Sequence, residues 1–301
     1  MPSLQASTQE AAQVHPSAIV SEDSVLAPTA VVGPGCVLHG KVTLADNVRL
    51  IGGVHLSGPI GIGAGTTVYP FACLGFPAQD YKIKPGDPTG GVVIGSSCII
   101  REHVTVHAAT KQDVPTIIGD GVFMMVGSHA AHDVKVGNHV VMVNAVALGG
   151  HAQIGERVNM GGHSVVHQFC RVGRAAMIGG NATVTTDVPP FCVLIERNLL
   201  QGLNVVGLRR SGVPRDQITM LRAAYREVIR VKRTKEDIVE GLLRIGGDNP
   251  LIAEIIEFYK TSRRTIAPSA ALPPRHFRAW MKRAKDLDDT IDGDEELIDG
   301  A

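Results

Sequence analysis

Residues 14–38 read "VHPSAIVSEDSVLAPTAVVGPGCVL", and in them an aliphatic side chain returns every six positions: Val14, Val20, Leu26, Val32 and Leu38. The beat continues through Leu44, Leu50, Leu56, Ile62, Val68 and Leu74, and resumes at Ile94, Ile100 and Val106. From Ile118 it runs unbroken through Met124, Ala130, Val136, Met142, Leu148, Ile154, Met160, Val166, Val172, Ile178 and Val184. These 26 slots hold only Val, Ile, Leu, Met and a single Ala. A strict six fits neither the 3.6 period of a helix nor the plain alternation of a sandwich strand. It suits a short strand plus a corner, with one bulky side chain pointing inward per strand. Four positions after a slot the residue is small or Val (Ala18, Ser24, Cys36, Ser128, Ser164, Cys170, Ala176), and Gly often follows the slot itself, where a tight corner tolerates little Cβ bulk. Three sides close an 18-residue coil, and coils stacked about 4.8 Å apart make a prism about 40 Å long. The pattern is that of a parallel β-helix built from hexapeptide repeats.

The repeat bounds a domain at 14–190 and has two excursions. Residues 75–93, rich in Pro and Gly, shift the beat by two, and residues 107–117 fill a missing slot at Gln112. It stops at Pro189-Pro190, which cannot donate to a ladder. From Pro214 the period becomes helical, with Ile218, Leu221, Tyr225, Val228 and Ile229 on one face. Two more helices are expected in "TKEDIVEGLLRI" and "NPLIAEIIEFYKTSRR", giving a small α-helical domain over 198–266. Residues 267–301 carry eight acids after Lys285 and read as a disordered tail.

Composition narrows the function. Basic and acidic residues balance at 29 each, which argues against nucleic acid as a partner. No apolar stretch reaches the length of a membrane span, and the N-terminus lacks the pattern of a secretory signal. Five cysteines without a CxxC pair point to reduced thiols and a cytoplasmic protein. Aromatic residues are only 4 %, so the core must be filled by small aliphatic side chains.

Eight of the twelve histidines lie between 103 and 167. Counting by 18 places Gly150 above His132 and His151 above Asp133, with His167 a coil further along. His129, His132, Asp133, Gly150, His151 and His167 therefore collect along one edge, whereas His39, His55, His139 and His163 read singly as solvated surface. Such a column has two chemical uses. Zinc wants three neutral imidazoles and an open position; the HxxH pair puts its rings at different points round a corner, with no third ligand at the usual spacing, so no metal is expected. A general base fits better. An imidazole takes a proton from a hydroxyl near neutral pH, a carboxylate holds its tautomer, and a bare glycine amide receives an oxyanion. That set serves acyl transfer from a thioester to an alcohol. The column has no nucleophilic Ser or Cys, so direct attack is preferred to an acyl-enzyme.

The stretches "HPSAIV", "AQDYK", "REHVTVH", "SHAAHDVKVGN", "LGGHAQIG", "HQFCRVG", "DVPPF" and "LNVVGLRRSG", in order over roughly residues 14–266, closely resemble the acyl-carrier-protein-dependent UDP-N-acetylglucosamine O-acyltransferases of lipid A synthesis. The resemblance implies a left-handed prism, a helical C-terminal domain, a homotrimer and no cofactor beyond the carrier's phosphopantetheine. It implies that His132 deprotonates the glucosamine 3-hydroxyl, Asp133 orients His132, and the Gly150 amide meets the oxyanion. His129, His151, His167 and Gln168 would contact sugar, nucleotide or acyl chain. Gln79, Asp80 and Lys82 would reach across a subunit interface, and Asn204 and Arg210 would hold the nucleotide. Gly180 would leave room for a longer 3-hydroxyacyl chain, and Arg222, Arg226, Arg230, Lys232 and Arg233 would face the carrier protein. The family usually has an acid at Val206 and a base at Ser211, which leaves open an N-acyltransferase acting on a 3-amino sugar nucleotide. A zinc-binding or non-catalytic scaffold is the more distant rival.

Overall fold

Each hexad is a strand and a corner in the computed structural model, which describes residues 12–269 except 85, 232 and 233. Strands of two to five residues follow one another from Gln13–Val14 to Leu199–Leu203. Slot pairs with slot one coil later: Val14 with Val32, Val20 with Leu38, Leu26 with Leu44. The result is three sheets of 11, 9 and 8 strands, one per side of the prism, and the fold is the expected left-handed parallel β-helix followed by helices.

Every slot from Val32 to Val184 is at most 3 % exposed, while Val14, with no described coil beneath it, is 42 % exposed. One expectation needs correcting. Two side chains per hexad point inward, because from Val32 onward the residue two before each slot is also buried, as with Cys36, Val48, Ser128, Cys170 and Ala176. Each coil therefore encloses three large aliphatic groups and three small ones, which explains why so few aromatics are used. Burial of each large slot side chain contributes about 1.5–3 kcal/mol. The glycines after slots mark close approach between coils: a Cβ at Gly137 would lie 2.7 Å from the Glu156 amide nitrogen, and one at Gly155 2.6 Å from that of Arg174.

The excursions are where the chain leaves this register. Ile62 pairs with Ile94 and Ile94 with Ile118, so the 8-stranded face runs on unbroken and both insertions leave at the same corner, between the 9-stranded and 8-stranded faces. The ladder also outlasts Pro190. Pro189 and Pro190 occupy a corner, Cys192–Ile195 pairs in parallel with Met177–Ile178, and Leu199–Leu203 returns antiparallel. The sheet thus ends at 203, beyond the boundary expected from the repeat.

Among the described residues four helices follow: α1 (Val205–Arg210), α2 (Arg215–Ala224), which runs into a π turn at Tyr225–Ile229, α3 (Lys235–Gly246) and α4 (Pro250–Thr261). Ile218, Leu221, Tyr225, Val228 and Ile229 are all buried, as their spacing predicts. A Thr234/Asp237 capping box starts α3, and Asn249 with Pro250 starts α4. The helices are tied to the prism by an Arg174–Glu254 ion pair at 2.7 Å and by Arg171 over the Phe258 ring. Buried Asp187 accepts from the Arg171 amide and the Ser262 hydroxyl. Lys232, Arg233 and the acidic stretch 270–301 lie outside the described residues. No helix among those described is long and apolar enough to cross a membrane.

Candidate active site

The corner after the strand His129–Ala130 gathers the column. Asp133 has φ +60°, in the left-handed region, as does His151 one coil on. That conformation turns the Asp133 carboxylate back toward its own neighbour, and His132 Nδ1 lies 2.7 Å from Asp133 Oδ2. An ionised carboxylate only accepts, so Nδ1 carries the proton and Nε2 keeps its lone pair. The side chains are 14 % and 8 % exposed, so the pair is largely shielded yet reachable at one end. His151 Nε2 stands 3.6 Å from the same Oδ2, with its ring edge-on to His132.

Burial pushes the Asp133 carboxyl up, but hydrogen bonds from His132 and from the Thr110 hydroxyl and amide outweigh it and hold the group below its ordinary value. Asp133 therefore stays charged at neutral pH, as an orienting carboxylate must.

Gly150 is buried against the imidazole: a Cβ there would fall 2.7 Å from Cε1 and 2.8 Å from Nε2 of His132. Its carbonyl accepts from the Phe169 amide, while its own N–H meets no acceptor among the described residues. An oxyanion placed beside His132 Nε2 would find that donor preorganised.

His129 Nδ1 is 2.7 Å from the Thr105 hydroxyl, and its ring meets His107 edge-on. Burial, then the neighbouring His107 and His132, lower its pKa from 6.5 to about 4. At neutral pH it is an uncharged hydrogen-bonding group. The sign of the stability effect follows. The folded value lies below the unfolded one, so the contribution is complete above pH 6.5 and is lost as pH falls toward about 4. Urea midpoints at pH 7.0 and 4.5 are expected to differ less in His129→Gln than in the wild type.

The other expected residues are more dispersed. His167 and Gln168 are exposed, and His167 Nδ1 pairs with the Gln168 carbonyl. Phe169, not His167, continues the column, stacked on His151 at 4.5 Å between ring centroids. Gln79 and Lys82 are exposed on the first excursion, and Asp80 caps its own turn through the Lys82 amide. No described hydrogen bond or ion pair joins these three to the histidines. Gly180 lies at a different prism edge, after Met177–Ile178, and is exposed, with no atom nearer than 3.5 Å to an added Cβ. Asn204 caps α1: its Oδ1 accepts from the Gly207 amide and its Nδ2 donates to the Ala175 carbonyl. Arg210 is exposed in the last turn of α1. His39, His55, His139 and His163 are exposed, as read singly.

A third potential metal ligand does exist, supplied by stacking rather than by the HxxH pair. Among the described residues His132, Asp133 and His151 place ligand atoms within 4.8 Å of one another. The 2.7 Å contact between His132 and Asp133 is a hydrogen-bond distance, however, and the pair is satisfied as it stands.

Relatives give this geometry a context. The family model described as UDP N-acetylglucosamine O-acyltransferase, domain 2, matches residues 187–267. The chain is 42 % identical over 221 residues to the acyl-[acyl-carrier-protein]–UDP-N-acetylglucosamine O-acyltransferase of Rhizobium leguminosarum bv. trifolii, covering 73 % of this chain and 80 % of that one. It is 40 % identical over 256 residues to the protein of the same name from Thermodesulfovibrio yellowstonii, covering 84 % and 98 %. Among solved structures, the UDP-N-acetylglucosamine acyltransferase of Francisella novicida superposes with a TM-score of 0.81 at 30 % identity, covering 86 % of this chain and 94 % of that one. The Arabidopsis UDP-N-acetylglucosamine acyltransferase does so at 0.75 and 30 %, covering 84 % and 99 %. The protein is an acyltransferase, and the chain belongs to the acyl-[acyl-carrier-protein]–UDP-N-acetylglucosamine O-acyltransferase family.

Proposed function

We propose that the protein moves a 3-hydroxyacyl chain from acyl carrier protein to the 3-hydroxyl of UDP-N-acetylglucosamine, the first step of lipid A synthesis, with His132 as general base. The observation that carries this reading is the convergence of His132 Nε2, an ionised Asp133 and the Gly150 amide at one corner. The sugar hydroxyl oxygen attacks the thioester carbonyl as its proton passes to Nε2. The carbonyl oxygen gains charge beside the Gly150 N–H. When the C–S bond breaks, the imidazolium returns the proton to the departing thiolate. Asp133 stabilises the imidazolium throughout. The reaction consumes one thioester and one alcohol and yields one ester and one thiol, with no cofactor of the enzyme's own.

In this reading the enzyme is a cytoplasmic homotrimer. Exposed apolar side chains support burial against neighbouring subunits: Phe71 is 59 % and Phe169 52 % exposed, and Phe169 stacks directly on the site. His129, His151, His167 and Gln168 line the approach to His132 in this proposal. Gln79, Asp80 and Lys82, with Gly180, Asn204 and Arg210, would join them from a neighbouring copy, since within one chain they lie elsewhere.

The test is an assay of the purified protein with a 3-hydroxyacyl carrier thioester and either UDP-N-acetylglucosamine or its 3-amino counterpart. An ester product and released carrier thiol from the former are expected, in the presence of a chelator. Amide formation alone would favour the N-acyltransferase, and activity abolished by chelation and restored by zinc would favour a metal at His132, Asp133 and His151.

A further inference from the structure

The two excursions from the prism close on each other and on Asp133. The Ala108 amide donates to the Phe76 carbonyl, and His107 Nδ1 pairs with the Pro77 carbonyl. At the other end of the first excursion, Gly90 and Ala109 are bound at 3.0 Å, and the Gly91 carbonyl accepts from both Ala109 and Thr116. The approach is so close that a Cβ at Gly90 would fall 2.0 Å from the Lys111 carbonyl oxygen.

The second excursion is thereby clasped at both ends, and what it presents inward is a pair of threonines. Thr110 gives its hydroxyl to Asp133 Oδ2 at 2.8 Å and its amide to the carboxylate at 3.2 and 3.3 Å. Thr116, fully buried, accepts the Asp133 amide on its hydroxyl at 2.8 Å. Asp133 is thus held by its backbone and its side chain at once, at a φ of +60° that is the regular corner conformation of this prism, shared by His139, Ala145, His151 and Arg157. The His132–Asp133 bond joins adjacent residues, and it survives only while that backbone and that carboxylate rotamer are fixed.

We propose that Thr110 is a positioning residue for acyl transfer, the tip of a clasp built from both excursions that fixes the Asp133 carboxylate and, through it, the His132 ring. The inference rests on the general-base reading above. Thr110 touches no reacting atom; its hydroxyl saturates the one lone pair of Oδ2 that would otherwise let the carboxylate rotate toward solvent or toward His151.

Thr110→Val removes the hydroxyl and keeps the shape. Its kcat is expected to fall about 10- to 100-fold, the range seen when a partner that orients a reacting group is lost, while KM for the sugar nucleotide stays within about threefold. Thr110→Ser, which restores the hydroxyl, should recover most of the rate. In an Asp133→Asn background, Thr110→Val should cost nothing further, because both changes break the same linkage. Thermal melting of each variant separates this from a folding defect, and the Ser variant carries the test if the Val variant is unstable. Wild-type kcat in Thr110→Val, or an equal loss with Asp133 and with Asn at 133, would overturn the proposal. If His132→Ala were itself active, the general-base reading would fail; if His132→Ala is inert and Thr110→Val is normal, only this inference fails.

Discussion

His132→Ala should lower kcat by about 10²- to 10⁴-fold, the contribution of a well-placed general base, without unfolding the prism. The ring lies on the outside of a corner, and the coil interior beneath it is closed by Ala130, Val134 and Leu148, which the substitution leaves untouched. The carboxylate of Asp133 also keeps its three contacts to Thr110, so no uncompensated buried charge remains to destabilise the fold. Among the described residues His151 is the only other imidazole near that carboxylate, and it makes a poor replacement: its Nε2 already faces Asp133 Oδ2 at 3.6 Å, and its ring is covered by Phe169. Burst experiments with a slowly released carrier would show whether chemistry, rather than release, has been slowed. A variant that melts like the wild type and retains activity within about threefold would rule out His132 as the base.

How much of this was legible in the sequence follows from what a period can encode. The coil, its three faces and the stacking of Gly150 over His132 depend only on spacing by 18, which the register of the strands reproduces. The same counting places Phe169 above His151, so that stacked ring is legible in the sequence, whereas His167 lies two residues off the count. The second inward residue per hexad was visible as a run of small side chains, but its direction depends on the strand's pleat, which a count of slots does not give.

Thr110 belongs to a different class. Thr116 holds the small inward place two before slot Ile118, so the period reaches it, but Thr110 sits in an insertion where no period applies, and its place beside Asp133 is set by hydrogen bonds between two loops distant in sequence. The ladder past Pro190 was hidden for the opposite reason. The strand Cys192–Ile195 keeps its pairing, but two prolines ahead of it gave the signature of an ending, because proline in a corner and proline in a strand look alike in sequence.

Gly150 is the residue for which sequence and structure give different reasons for the same identity. Spacing makes it a bare amide above the base; the coordinates add that its missing Cβ is the space the imidazole occupies. Gly150→Ala is therefore expected to be folded and nearly inactive. Its backbone is not in the left-handed region, so alanine is tolerated locally, and Leu148 remains buried two residues before it. The added methyl group would lie 2.7 Å from Cε1 of His132, so the ring must swing away from its place over the corner. A displacement of about 1 Å in a reacting group costs on the order of 10²-fold in rate. Gly61 supplies the control, since it lies within a strand and a Cβ there meets nothing within 4 Å; Gly61→Ala should transfer acyl chains at the wild-type rate. Combining Gly150→Ala with His132→Ala removes the collision, so the pair should be no slower than His132→Ala alone and at least as stable as Gly150→Ala. Additive losses in rate would mean that the methyl group acts on something other than the ring.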